Sequence, residues 1–84
     1  MKRPKAKQKV ILKVVPPGLL DNLPAADQRA IRAAVGKPVR LNEYDSDGRA
    51  ELEFIDKNDV IHFVYVDPKF IEPCSERRHL PLSC

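Results

Sequence analysis

Two turn signals divide the segment from Lys37 to Val66 into three apolar-patterned runs: Pro38 to Tyr44, Arg49 to Asp56 and Val60 to Val66. Short runs of this kind, bounded by turn chemistry, are the signature of strands, so the segment predicts a three-stranded antiparallel meander. The flanking residues must pack around it. A chain of 84 residues has room for one small domain that buries only about 60% of the surface its unfolded state exposes.

The turns set the faces. Asp47-Gly48 is a hairpin signal, because a two-residue type I′ turn needs positive φ at both central positions. Pairing across it gives an odd register sum. Val39 and Leu41 then share a face with Ala50, Leu52 and Phe54, while Arg40, Asn42 and Tyr44 lie beside Glu51, Glu53 and Ile55. One face is apolar and the other polar, as in an open antiparallel sheet. The second turn, Asp56-Lys57-Asn58-Asp59, admits two registers. A two-residue loop puts Ile61, Phe63 and Tyr65 in the core and His62 near Glu53; a three-residue loop puts Val60, His62, Val64 and Val66 inside. The first is preferred, because the second buries an imidazole beside Phe54 with no evident partner.

Upstream, Lys9 to Val15 predicts a first strand, at an edge, with Val10, Leu12 and Val14 on one face. Pro16-Pro17-Gly18 ends it. Leu19, Leu20 and Leu23 are too apolar for a free loop and are expected to fold back over the core. A helix is predicted over about residues 24–35, capped by Asp21 or Asn22, started by Pro24 and stopped by Gly36, with Leu23, Ala30, Ile31, Ala34 and Val35 on its apolar side. Downstream, Asp67-Pro68-Lys69 turns the chain, Phe70 and Ile71 plug an end of the core, and Pro73 closes it. The organisation expected is a disordered basic arm over 1–8, one β-rich domain over 9–73 and a flexible tail over 74–84.

This succession of strand, long partly helical connection, three-stranded meander, short turn with Phe70-Ile71 and terminal segment resembles an SH3-like small β-barrel. The fold class expected is therefore mainly β with one short helix: such a barrel, or a three-to-five-stranded antiparallel sheet packed by a helix. Peptide-binding members of that class carry an acidic, aromatic-rich first loop and a groove tryptophan. Here the first connection is rich in Leu and Ala and there is no Trp, which argues against a polyproline ligand. Other small barrels bind nucleic acid or act as regulators, so the fold leaves function open.

The formal charge of +3 is unevenly distributed, because Lys2, Arg3, Lys5, Lys7, Lys9 and Lys13 all precede the first acid, Asp21. Lys2, Arg3, Lys5, Lys7 and Lys9 are thus nucleic-acid candidates, contacting phosphates. The outer sheet face offers Arg40, Tyr44, Glu51, Glu53 and His62 as protein-contact candidates, since Tyr and Arg are common interface anchors. Cys74-x4-His79-x4-Cys84 matches the last three ligands of a four-ligand zinc knuckle, but Ile71 stands where the first Cys belongs. Glu43-x-Asp45-x-Asp47-Gly48 matches the start of a calcium loop, yet Phe54 occupies the position of the bidentate acid and the turn reading is preferred. A catalytic role would have to pair His62 with Glu51 or Glu53, and no nucleophile stands near them. No apolar run approaches the ~20 residues of a membrane helix, and the start lacks a signal-peptide core. The expectations are a cytoplasmic binding or regulatory module with reduced thiols, no cofactor, no enzymatic activity and no membrane, whose partner is another protein or, alternatively, nucleic acid held by the arm.

Overall fold

The computed structural model describes residues 4–74. The elements run β1 (Lys9–Leu12), α1 (Ala25–Ala34), β2 (Pro38–Tyr44), β3 (Ala50–Ile55), β4 (Ile61–Val66), a 3-10 turn (Pro68–Phe70) and β5 (Ile71–Pro73). The strands form one antiparallel sheet in the order β4-β3-β2-β1-β5. The expected class holds: mainly β, one short helix, and a five-stranded antiparallel sheet packed by it. Barrel closure does not occur, because β4 and β5 are the two edges of the sheet and are not joined to each other.

β1 is shorter than Lys9 to Val15 and lies inside the sheet, not at its edge. Its pairing with β2 ends at Ile11↔Pro38, where proline has no amide to donate. Beyond Leu12 the backbone turns to other partners: Lys13 N–H donates to the Phe70 carbonyl at 2.8 Å and Gly36 N–H to the Leu12 carbonyl at 3.0 Å. Val14 is left exposed. On the other side β5 pairs Ile71 with Leu12 and Pro73 with Val10, placing proline on an edge strand, where a missing donor is tolerated.

Pro24 occupies the N-cap position of α1 without a side-chain cap. Neither Asp21 nor Asn22 caps the helix; instead the Gln28 side-chain amide donates to the Leu23 carbonyl at 2.9 Å. Gly36, with φ +85°, ends the helix as expected of a left-handed position. Ala30, Ile31 and Ala34 are buried, and Ile31 and Ala34 join the core cluster.

The first hairpin keeps the expected parity in its outer half, with Arg40↔Glu53 and Leu41↔Leu52. It loses it near the turn. A bulge at Asn42 shifts the register to Glu43↔Glu51 and Tyr44↔Ala50, because the turn is not a two-residue type I′. Gly48 N–H donates to the Asp45 carbonyl at 2.9 Å and only Gly48 has positive φ there, +81°, so the loop holds three residues and the extra residue is absorbed as a bulge. Tyr44 thereby moves to the inner face with Ala50.

The second hairpin takes the register that was not preferred: Ala50↔Val66, Leu52↔Val64 and Phe54↔His62. Asp59, at φ +64°, supplies the left-handed position, and Asp56 and Val60 close the three-residue loop at 3.0 Å. Val64 and Val66 enter the core; Ile61, Phe63 and Tyr65 face outward. The core comprises Val10, Leu12, Ile31, Ala34, Val39, Leu41, Ala50, Leu52, Val64, Val66 and Ile71, with Leu19, Leu20, Leu23, Val35, Tyr44, Phe54 and Phe70 packed against it.

Candidate functional site

The outer face of the sheet is graded. Lys9 on β1 pairs with Arg40 on β2, Arg40 with Glu53 on β3, and Glu53 with Phe63 on β4, so one row crosses from basic through acidic to apolar. The next row places Glu43 beside Glu51 and Glu51 beside Tyr65. Asn42, freed from pairing by the bulge, accepts from Arg40 Nε at 2.9 Å and donates to Glu53 at 2.9 Å and Glu51 at 3.2 Å. Its amide links the basic and acidic parts of the face and offsets the adjacency of like charges.

The apolar end lies on β4 and the turn before it. Ile55 is 60% exposed, Phe63 52% and Tyr65 43%, with Val60 and Ile61 also half-exposed. Ile55 and Ile61 are paired across the strands and Phe63 and Tyr65 follow at two-residue spacing, so these four side chains share one face. The Arg49 guanidinium lies 5.7 Å from the Tyr65 ring, within cation–π range. The Glu51 carboxylate beside Tyr65 holds its phenol above the ordinary value of 10.0. β4 is also an edge whose Ile-His-Phe-Val-Tyr-Val sequence lacks Lys, Glu and Pro, the residues that normally blunt exposed edges. Exposed apolar surface on such an edge suits contact with another chain.

The structure divides the sequence-predicted contact residues between the two faces. Arg40, Glu51 and Glu53 stand together on the outer face. Tyr44 is on the inner face, its hydroxyl donating to the Pro4 carbonyl. His62 also lies inside: its side chain is 10% exposed, its ring stacks on Phe54 at 5.3 Å, Nε2 is 2.8 Å from Asp56 Oδ2 and Nδ1 is 3.7 Å from Asp27 Oδ1. The partner that the sequence did not reveal is thus a turn carboxylate, with a second carboxylate on the first turn of α1. Glu51 and Glu53 are on the opposite face and do not orient this imidazole. Ile61, Phe63 and Tyr65 were missed as surface residues because the preferred register buried all three, whereas Ile55 lies on the outer face as expected; the lack of charge in β4 was the available signal.

Residues 4–8 run beside β2. Pro4 is buried, Lys7 N–H donates to the Leu41 carbonyl, and Leu41 N–H donates to the Gln8 carbonyl at 2.9 Å. Lys5, Lys7 and Lys9 are exposed there; Lys2 and Arg3 lie outside the described residues. Among the metal candidates, Cys74 follows β5 and its N–H donates to the Lys9 carbonyl at 3.2 Å, while His79 and Cys84 lie outside the described residues. No group of three His, Cys, Asp or Glu side chains suited to a metal occurs among the described residues. The Asp45 carboxylate instead serves its own turn, accepting from Asp47 N–H at 2.9 Å, Arg49 N–H at 2.8 Å and Arg49 Nε at 3.0 Å. Among the described residues no helix is long and apolar enough to cross a membrane. Comparison with protein families, characterised proteins and solved structures gives no match.

Proposed function

We propose that this chain is a small non-enzymatic binding or regulatory module that engages another protein through the outer face of β3 and β4, the partner adding a strand to β4. The observation that carries this reading is the uncharged edge strand with Ile61, Phe63 and Tyr65 exposed along it. Strand addition would pair the free edge of β4, while the outward side chains supply apolar contact and Glu51 and Glu53 bias the partner toward basic residues at its flank. Affinity capture with the native protein and a Phe63→Lys variant tests it, because an exposed lysine blocks edge pairing without touching the core. A partner captured by the native protein and lost with a folded Phe63→Lys is expected; equal capture by both rejects the surface.

A second reading is nucleic-acid binding by Lys2, Arg3, Lys5, Lys7 and Lys9. It is favoured by the exposure of Lys5, Lys7 and Lys9 and by the pairing of Lys9 with Arg40, which sets two cations side by side. Phosphate contacts predict affinity that falls steeply with salt. Unchanged affinity for DNA and RNA at low salt after Lys5→Glu/Lys7→Glu/Lys9→Glu substitution would sink it.

A further inference from the structure

A groove of about 510 Å³ runs between α1 and the turn joining β3 to β4, with no residue of β4 in its lining. Its floor is apolar, formed by Ala30, Ala33, Val39 and Phe54, and Arg29, Lys37 and Lys57 also line it. These three side chains lie on three different segments: the helix, the link from helix to β2, and the turn. Among the described residues none of the three has an ion-pair or side-chain hydrogen-bond partner. The one acid in the lining, Asp56, is already engaged. Its Oδ1 accepts from Asn58 N–H at 2.7 Å and Val60 N–H at 3.0 Å, and its Oδ2 lies 2.8 Å from His62 Nε2. The groove therefore combines an apolar floor with a net positive lining, in which Arg29, Lys37 and Lys57 face the single carboxylate of Asp56.

We infer that this groove binds a small amphiphilic carboxylate, with the head group among Arg29, Lys37 and Lys57 and the apolar body over Ala30, Ala33, Val39 and Phe54. The volume lies within the range of about 300–1,000 Å³ usual for small-molecule sites. Charge complementarity selects the class of occupant. A strongly hydrated polyanion leaves the apolar floor uncovered, and a neutral hydrocarbon leaves the net positive lining without a counter-charge. A carboxylate on an aliphatic or aromatic body satisfies both, its oxygens accepting charge-assisted hydrogen bonds from the Arg and Lys side chains. The site is independent of the β4 edge, so either can fail while the other stands.

An amide-resolved NMR titration of the full chain with octanoate, below its micellar concentration, tests the inference, with octanol as the neutral control. Saturable shifts are expected at residues 26–34, 37–39 and 54–58, with octanol binding at least about tenfold more weakly. Lys37→Glu/Lys57→Glu protein, altered only at exposed positions, should lose at least about tenfold in octanoate affinity, because two favourable charges become repulsive. Phe63→Lys protein should bind octanoate as the native chain does. The inference is overturned if octanoate produces no saturable shifts, if they centre on residues 61–65, if octanol binds equally well, or if the double variant retains native affinity.

Discussion

At the scale of single residues, the central question is why an imidazole sits inside a domain this small. His62 spans the inner edge of the sheet, stacked on Phe54 and flanked by Asp56 and Asp27. Burial of a polar ring is tolerable when its nitrogens have partners. The Asp56 carboxylate is held below its usual value of 3.8, first by the hydrogen bond from His62 and then by the N–H groups of Val60 and Asn58. A depressed folded-state value means that Asp56 adds stability above the unfolded-state value, and that this contribution is lost as pH falls through the lower folded one. Urea unfolding of native and Asp56→Asn protein between about pH 5 and pH 2 should therefore show a shallower acid loss in the variant. Parallel acid limbs would show that Asp56 has no such role. This contact was not legible in the sequence. Nothing in a strand pattern indicates that a turn residue will fold back onto the strand it precedes, or that Asp27 will arrive from the helix.

At the scale of elements, the three strands of the meander were legible to within a residue or two, whereas the devices joining them were not. Asp47-Gly48 suggested a turn with two positive φ angles; the chain uses one, at Gly48, and compensates with a bulge at Asn42. Parity counted from the turn consequently held for Leu41, Leu52 and Phe54 but failed for Tyr44. The second turn repeats the three-residue design with Asp59 in the left-handed position, an assignment sequence gives to Asn or Gly before Asp. Gly48→Ala should destabilise the domain by about 1 kcal/mol, since an L side chain is strained at that φ. Asp47→Gly should also destabilise, by about 0.5–1 kcal/mol, because Asp47 does not need positive φ, so glycine adds unfolded-state freedom and removes the carboxylate 3.6 Å from the Arg49 guanidinium. Chemical denaturation measures both. A stabilising Asp47→Gly would instead favour the two-residue turn.

At the scale of the whole molecule, the meander supplies β2 to β4, but completion of the sheet depends on the chain's ends. β1 lies between β2 and β5, so the earliest and latest strands pair across almost the full described length. The aliphatic pattern of Lys9 to Val15 announced a strand but not its neighbours; its place inside the sheet depends on Asp67-Pro68, which turns the chain so that Ile71 can reach Leu12. Ile71 is buried in the same cluster as Leu41 and Leu52, which makes the terminal pair part of a single core. A domain with one core unfolds in one cooperative step. Ile71→Val should cost about 0.5–1.5 kcal/mol, and that loss should appear equally in the hydrogen-exchange protection of the slowest β1 and β3 amides, because both exchange through the same global opening. Loss confined to β1 and β5 would mean that the terminal pair opens as a separate unit and that the β2–β4 meander carries the stability.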